Sequence, residues 1–148
     1  MPNGSGSGSL PGEDALIDRI STRLLAAPAE VGADAPMLPD WMPERPFDRP
    51  PVPAAVLIAL VRRAAGMTVL DAERATSLRA HSGQVAFPGG KIDPDDAGPA
   101  QAAIREAAEE VALRPEWTRV LGFMPPYFTG TNSLITPVVG VVEPRGAF

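Results

Sequence analysis

Eight prolines fall within the 26 residues from 28 to 53, and that density decides where a fold can lie. Each proline removes a backbone donor and pushes its predecessor out of the helical region, so regular structure is excluded there. Segment 28–53 therefore reads as an extended connector, with Trp41 and Phe47 as the residues able to pin it to a surface. Ahead of it, residues 1–12 form a Gly/Ser/Pro lead expected to lack structure. Between the two, apolar residues at 16, 17, 20, 24 and 27 give a helical stripe over 13–27, closed by Pro28. The folded domain is expected at 54–148.

Inside that domain, 54–61 is a continuous apolar run of strand length. Ala64, Ala65 and Gly66 make a turn into a second, antiparallel strand at 67–70. Residues 84–87 read as a short strand stopped by Pro88, Gly89 and Gly90. A helix follows over 99–111, with proline at its first position and a run of Ala, Glu, Gln and Arg behind it. Residues 120–124 and 134–142 read as further strands, and Pro137 argues that the latter is an edge or bulged strand. Strands on both sides of one helix predict an α+β layered fold. No helix remains after the last strand to cover the second sheet face. Either the 13–27 helix serves, or the chain is a fragment truncated at its C-terminus, and the second is the expectation.

Composition narrows the functional classes. The chain has 148 residues, no Cys and a net charge of -5, which excludes disulfides, thiolate metal sites, a cysteine nucleophile and non-specific nucleic-acid binding. The longest apolar run is less than half of the ~20 residues a membrane span needs, and no targeting segment is visible, so a cytoplasmic protein is expected. The apolar fraction is 45%, but it includes 23 Ala and only eight aromatic residues, so the core must close around small side chains.

The chemistry-bearing segment is the 99–111 helix. At about 100° per residue, Ala100, Ala103, Ile104, Ala107 and Val111 share one stripe, while Glu106, Glu109 and Glu110 lie on the opposite side at spacings of three and four. Such a trio is either a solvated acidic face or a hard, oxygen-rich ligand set for Mg²⁺ or Mn²⁺. Upstream, the strand exit at Gly89 and Gly90 allows backbone to approach a ligand closely, and Asp93, Asp95 and Asp96 add acid. An EF-hand loop starting at Asp93 fails, because its twelfth position is Ile104 where a bidentate Glu belongs.

Residues 90–113, with Arg105-Glu106-Ala107-Ala108-Glu109-Glu110 at their centre, resemble the signature box of the Nudix hydrolases. Three departures stand out: Asp96 replaces the first Glu, the gap to Arg105 is eight residues instead of seven, and Ala112 replaces the late Gly. Leu78, Arg79, His81, Gly83, Gln84 and Phe87-Pro88-Gly89-Gly90, with Arg74 just before, are similar to the coenzyme A pyrophosphatase branch, which shares the altered acid and longer loop.

The resemblance implies a Nudix-type α/β/α sandwich with a mixed sheet, and metal-dependent hydrolysis of coenzyme A or acyl-coenzyme A. The products would be phosphopantetheine and adenosine 3′,5′-bisphosphate. ADP-ribose, a nucleotide sugar or a damaged nucleotide is the alternative substrate, and a non-catalytic ligand-binding fragment the alternative class. By the same resemblance Glu106 and Glu110 hold Mg²⁺ or Mn²⁺, and Glu109 is a further ligand or activates water. Arg105 fixes Glu106 or a neighbouring acid through a bidentate pair. Arg74, Arg79, Gln84, Gly89 and Gly90 are candidates for substrate binding, whereas His81 reads as a structural hydrogen-bonding group. The aromatic pair after Pro125 and Pro126 is either a stacking wall or a loop anchor. The expected partner is a small molecule, with no nucleic acid and no membrane span.

Overall fold

The computed structural model describes residues 12–29, 49–73 and 85–148. Two helices and eight strands run in the order α1 (Glu13–Arg23), β1 (Val52–Val61), β2 (Thr68–Val69), β3 (Ala72–Glu73), β4 (Val85–Ala86), β5 (Gly89–Lys91), α2 (Pro99–Val111), a 3₁₀ turn (Pro115–Trp117), β6 (Thr118–Phe123), β7 (Tyr127–Phe128) and β8 (Ser133–Val142). Trp41, Phe47, Arg74, Arg79, His81 and Gln84 lie outside the described residues.

The main sheet is mixed, as the resemblance implies. Parallel strands β1 and β8 form its centre over ten register pairs, from Val52 with Ser133 to Val61 with Val142. β2 and β5 pair antiparallel with the outer side of β1, at its end and its start respectively. β6 and β7 pair antiparallel with the other side of β8. β3 and β4 form a separate two-stranded ladder.

Four sequence expectations need correction. First, β8 is a central strand, although Pro137 suggested an edge. The Pro137 carbonyl accepts from the Met124 N–H at 3.0 Å, so its missing donor falls at the break where β6 gives way to β7. The register irregularity lies elsewhere, between Val120 and Gly122.

Second, the N-terminal helix stops at Arg23 instead of running to 27. Leu24 turns extended, and Leu25 exchanges two 2.9 Å backbone bonds with Phe123, so a tertiary bridge overrides the local stripe.

Third, β4 does end at Ala86, ahead of Pro88, but Gly89 and Gly90 open a new strand, β5, instead of lying outside the sheet. Fourth, Tyr127 and Phe128 form a ladder with Ile135 and Leu134 in place of a loop.

One core joins the sheet to α2. Alternate β1 residues Ala55, Leu57, Ala59 and Val61 point at α2 and are fully buried, with Val138 and Val142 beside them on β8. Ala102, Ala103 and Ala107 meet them from the helix, so methyl groups face methyl groups, as the alanine-rich composition predicted. On the other sheet face, Val139 and Val141 are also buried, as is Ile17 of α1. Arg62, the first residue after β1, ties α1 to the sheet through ion pairs to Glu13 and Asp14. Among the described residues no helix is long and apolar enough to cross a membrane.

Candidate active site

Helix α2 opens with Pro99 at its first turn and closes at Ala112, whose left-handed backbone has φ of 56°. That is the position at which the family box carries Gly, so the residue departs from the pattern while the turn is kept. The helix packs on β1, β5 and β8. Its buried side is rotated from the expected stripe. Ala102 is fully buried, whereas Ile104 is only half-buried. Ala102 lies one turn before Glu106 on the same side, so the acidic side also meets protein instead of facing only solvent.

That contact is made at β5. A Cβ added to Gly90 would stand 2.7 Å from both Cδ and Oε1 of Glu106, so the carboxylate rests against bare backbone. Glycine is required here by close approach. Gly89 is constrained in the same way by β1, since its Cβ would meet the Val56 Cα at 2.8 Å. Glu106 is consequently held at the seam of helix and sheet, with its side chain 20% exposed.

Arg105 organises the acids around it. Its Nε donates to Asp96 Oδ1 at 3.1 Å and its Nη2 to Asp96 Oδ2 at 3.0 Å, a bidentate fork. Nη1 donates to Glu106 Oε1 at 3.1 Å, and Nη2 to the Lys91 carbonyl at 3.2 Å. Asp93 and Glu109 lie at 3.4 and 3.6 Å. The Asp96 side chain is 4% exposed and also accepts from the Asp93 N–H at 2.8 Å. Hydrogen bonding from Arg105, then from that backbone amide, holds the Asp96 carboxyl below its ordinary range. Reciprocally, Asp96 raises the Arg105 guanidinium further, so the pair stays charged.

Glu109 is 62% exposed and Glu110 is also exposed. Among the described residues no three acidic or histidine side chains converge into a cage. The helix thus presents one anchored carboxylate and two outward ones at helical spacing. Carboxylate oxygens are the donor type that hard cations take while keeping part of their water shell.

Next to it, an open cleft of about 720 Å³ runs over the starts of β1 and β8. Its floor includes Ala54, Val56, Ser133 and Ile135; Gly89, Gly90 and Lys91 line one side, and Tyr127 another. Partial burial raises the Tyr127 phenol above its ordinary pKa, so it is neutral at physiological pH.

The structure therefore brings together Arg105, Glu106, Glu109, Gly89 and Gly90, with Glu110 on the next turn of the same helix. Asp96 was left without a role in the sequence reading and emerges as the bidentate partner of Arg105. Its signal was faint: one acid displaced by one residue from the family spacing. Lys91 was missed altogether, although it is the only lysine in the chain.

With this geometry in view, the comparisons define the class. The NUDIX domain family model matches residues 51–144, and the chain belongs to that family. Among curated relatives, an uncharacterized Nudix hydrolase NudL of Citrobacter koseri is 52% identical over 92 residues, covering 62% of this chain and 47% of that protein. Its counterpart in Cronobacter sakazakii is 50% identical over 91 residues, with the same coverage of 62% and 47%. The chain spans about half the length of the curated relatives it matches. Among solved structures, a Nudix hydrolase from M. Smegmatis, RenU, superposes with a TM-score of 0.53 at 27% identity, covering 64% of this chain and 63% of that one. A C. elegans Ap4A hydrolase binary complex gives a TM-score of 0.53 at 22% identity, covering 64% and 68%, which shows a shared fold.

Proposed function

We propose that this chain hydrolyses the diphosphate bond of a nucleoside diphosphate derivative, with coenzyme A or an acyl-coenzyme A as the substrate. The observation that carries the reading is the Arg105 fork on Asp96, which fixes Glu106 against Gly90 beside a cleft. A purely solvated acidic face has no need of a bare glycine under one carboxylate. The coenzyme A assignment is supported by the resemblance of residues 78–90, and family membership supports the broader class of nucleoside diphosphate derivatives.

In this reading Glu106 and Glu110 hold Mg²⁺ or Mn²⁺, with Glu109 as a further ligand or the group that takes a proton from water. When bound, the cation neutralises diphosphate oxygens and lowers the pKa of coordinated water. Arg105 acts through its neighbours. By occupying one oxygen of Glu106 and both of Asp96, it leaves the second Glu106 oxygen available and its rotamer locked. Exposed Glu109 lies 3.6 Å from that guanidinium, within reach of the same site.

Chromatographic separation of phosphopantetheine and adenosine 3′,5′-bisphosphate from coenzyme A, with millimolar Mg²⁺ or Mn²⁺, tests the proposal. Glu110→Gln is expected to lower turnover on the order of 100-fold without shifting the melt. Faster turnover of ADP-ribose or a nucleotide sugar would replace the substrate. No turnover of any of them would overturn the reading.

A further inference from the structure

The sheet register places four residues in one row across the cleft. Tyr127 pairs with Ile135, Ile135 with Ala54, and Ala54 with Lys91. Register partners on adjacent strands project to the same face, so all four side chains rise on the side that Ala54 and Ile135 present to the cleft. Three inter-strand spacings of about 4.8 Å separate the end members by about 14 Å at the backbone. The row thus runs from an aromatic ring, over a small apolar floor, to an ammonium group.

Both ends are unusual for a surface. Tyr127 and Phe87 are two of the few large apolar side chains left exposed, at 41% and 42%, and both line this cleft. Lys91 is the single cation lining it among the described residues. It also lies in the most acidic stretch of the chain without an ion pair among the described residues, because Arg105 has taken Asp93, Asp96 and Glu106. An exposed ammonium kept clear of nearby carboxylates, opposite an exposed ring, is matched to a ligand with an anion at one end and a flat ring at the other.

We propose that this row is a nucleoside-phosphate cradle, with Lys91 receiving the phosphate and the Tyr127 ring stacking on the base. The cradle deepens the hydrolase reading and rests on it for the choice of a nucleotide. It assigns the nucleotide half of the substrate to the face of the sheet away from α2. The diphosphate then crosses the β5 edge at Gly90 to reach Glu106.

Calorimetric titration of the full chain with AMP, without metal, separates this from the hydrolase reading. Lys91→Gln should weaken AMP about 10-fold and leave adenosine unchanged, and Lys91→Arg should retain most of the affinity. Tyr127→Ala should weaken AMP and adenosine alike by about 10-fold, whereas Tyr127→Phe should bind as the parent does. Because the chain has one lysine, acetylation of the Lys91 peptide gives a second readout, and saturating AMP should slow it. The cradle is overturned if AMP does not bind at millimolar concentration, if neither variant alters its affinity, or if AMP leaves Lys91 acetylation unchanged. A chain that binds AMP through both residues yet hydrolyses nothing keeps the cradle and loses the hydrolase.

Discussion

Two arginines in this molecule each gather carboxylates, and they do different work. Arg62 sits at the end of β1 with an 8% exposed side chain and reaches Glu13 at 3.7 Å, Asp14, and Glu143 at 3.2 Å. Its partners come from α1 and from just beyond β8, far apart in sequence. Arg105 takes Asp93, Asp96, Glu106 and Glu109 from a span of 17 residues. Around Arg62, neither oxygen of buried Glu13 finds a hydrogen bond among the described residues, and the cluster closes on itself as a clasp. Around Arg105, the fork satisfies Asp96, and Glu106 rests against Gly90, a residue that also lines the cleft. A guanidinium among acids is therefore no mark of a reaction centre by itself. What sets the Arg105 cluster apart, and supports the proposed site there, is an adjoining cleft and a backbone bare enough to admit a carboxylate.

The largest effect expected is at the Arg105 end. Gly90→Ala puts a methyl where Glu106 now lies, and should reduce hydrolysis on the order of 100-fold while circular dichroism still reports a folded chain. Full activity would mean that the position of Glu106 is irrelevant to the chemistry.

At the other end, Arg62→Met leaves Glu13 buried without its cation and should cost about 3 kcal/mol in urea unfolding. Adding Glu13→Leu should recover most of that loss. If the single variant is neutral, the clasp is ornamental and the comparison fails.

A third test is graded. Arg105→Lys keeps the charge but loses the fork, and should weaken Mn²⁺ binding about 10-fold, measured by titration. Its partner adds a pH signature. The Asp96 carboxyl is held low, so its contribution to stability is complete above about pH 4 and is lost as pH falls through the lowered folded value. Asp96→Asn should flatten that acid limb, whereas Arg105, raised and always charged, contributes no alkaline limb.

The smallest change is a gain. Ala112→Gly relieves a left-handed alanine at the end of α2 and should add about 0.5–1 kcal/mol to stability.

The same contrast explains what could be read in advance. Helix α2, Arg105 and its glutamates are local in sequence, so propensity, spacing and family resemblance reached them together. Strand positions in β1 and β8 followed from continuous apolar runs. The Arg62 clasp was invisible because its three acids come from both ends of the fold. β7 was missed because two residues carry no periodicity and exist as a strand only through Ile135 and Leu134. Pro137 misled because the rule concerns a missing donor, and here the donor points into a gap between two short partners. Gly90 was read as room for a ligand; it lines the cleft, and it also makes room for a side chain of the chain itself.

The alanines between α2 and β1 have a final consequence. With Ala55 and Ala59 facing Ala102, Ala103 and Ala107, the gap between helix and sheet is gauged by single methyls, the shortest spacer a chiral side chain offers. A larger residue in that seam lifts the helix bodily, and every glutamate rides up with it. On the proposed reading, chemistry at the rim would be calibrated from beneath by carbon atoms that never see the substrate, and drift in this hidden layer would retune the reaction before it unfolded the domain.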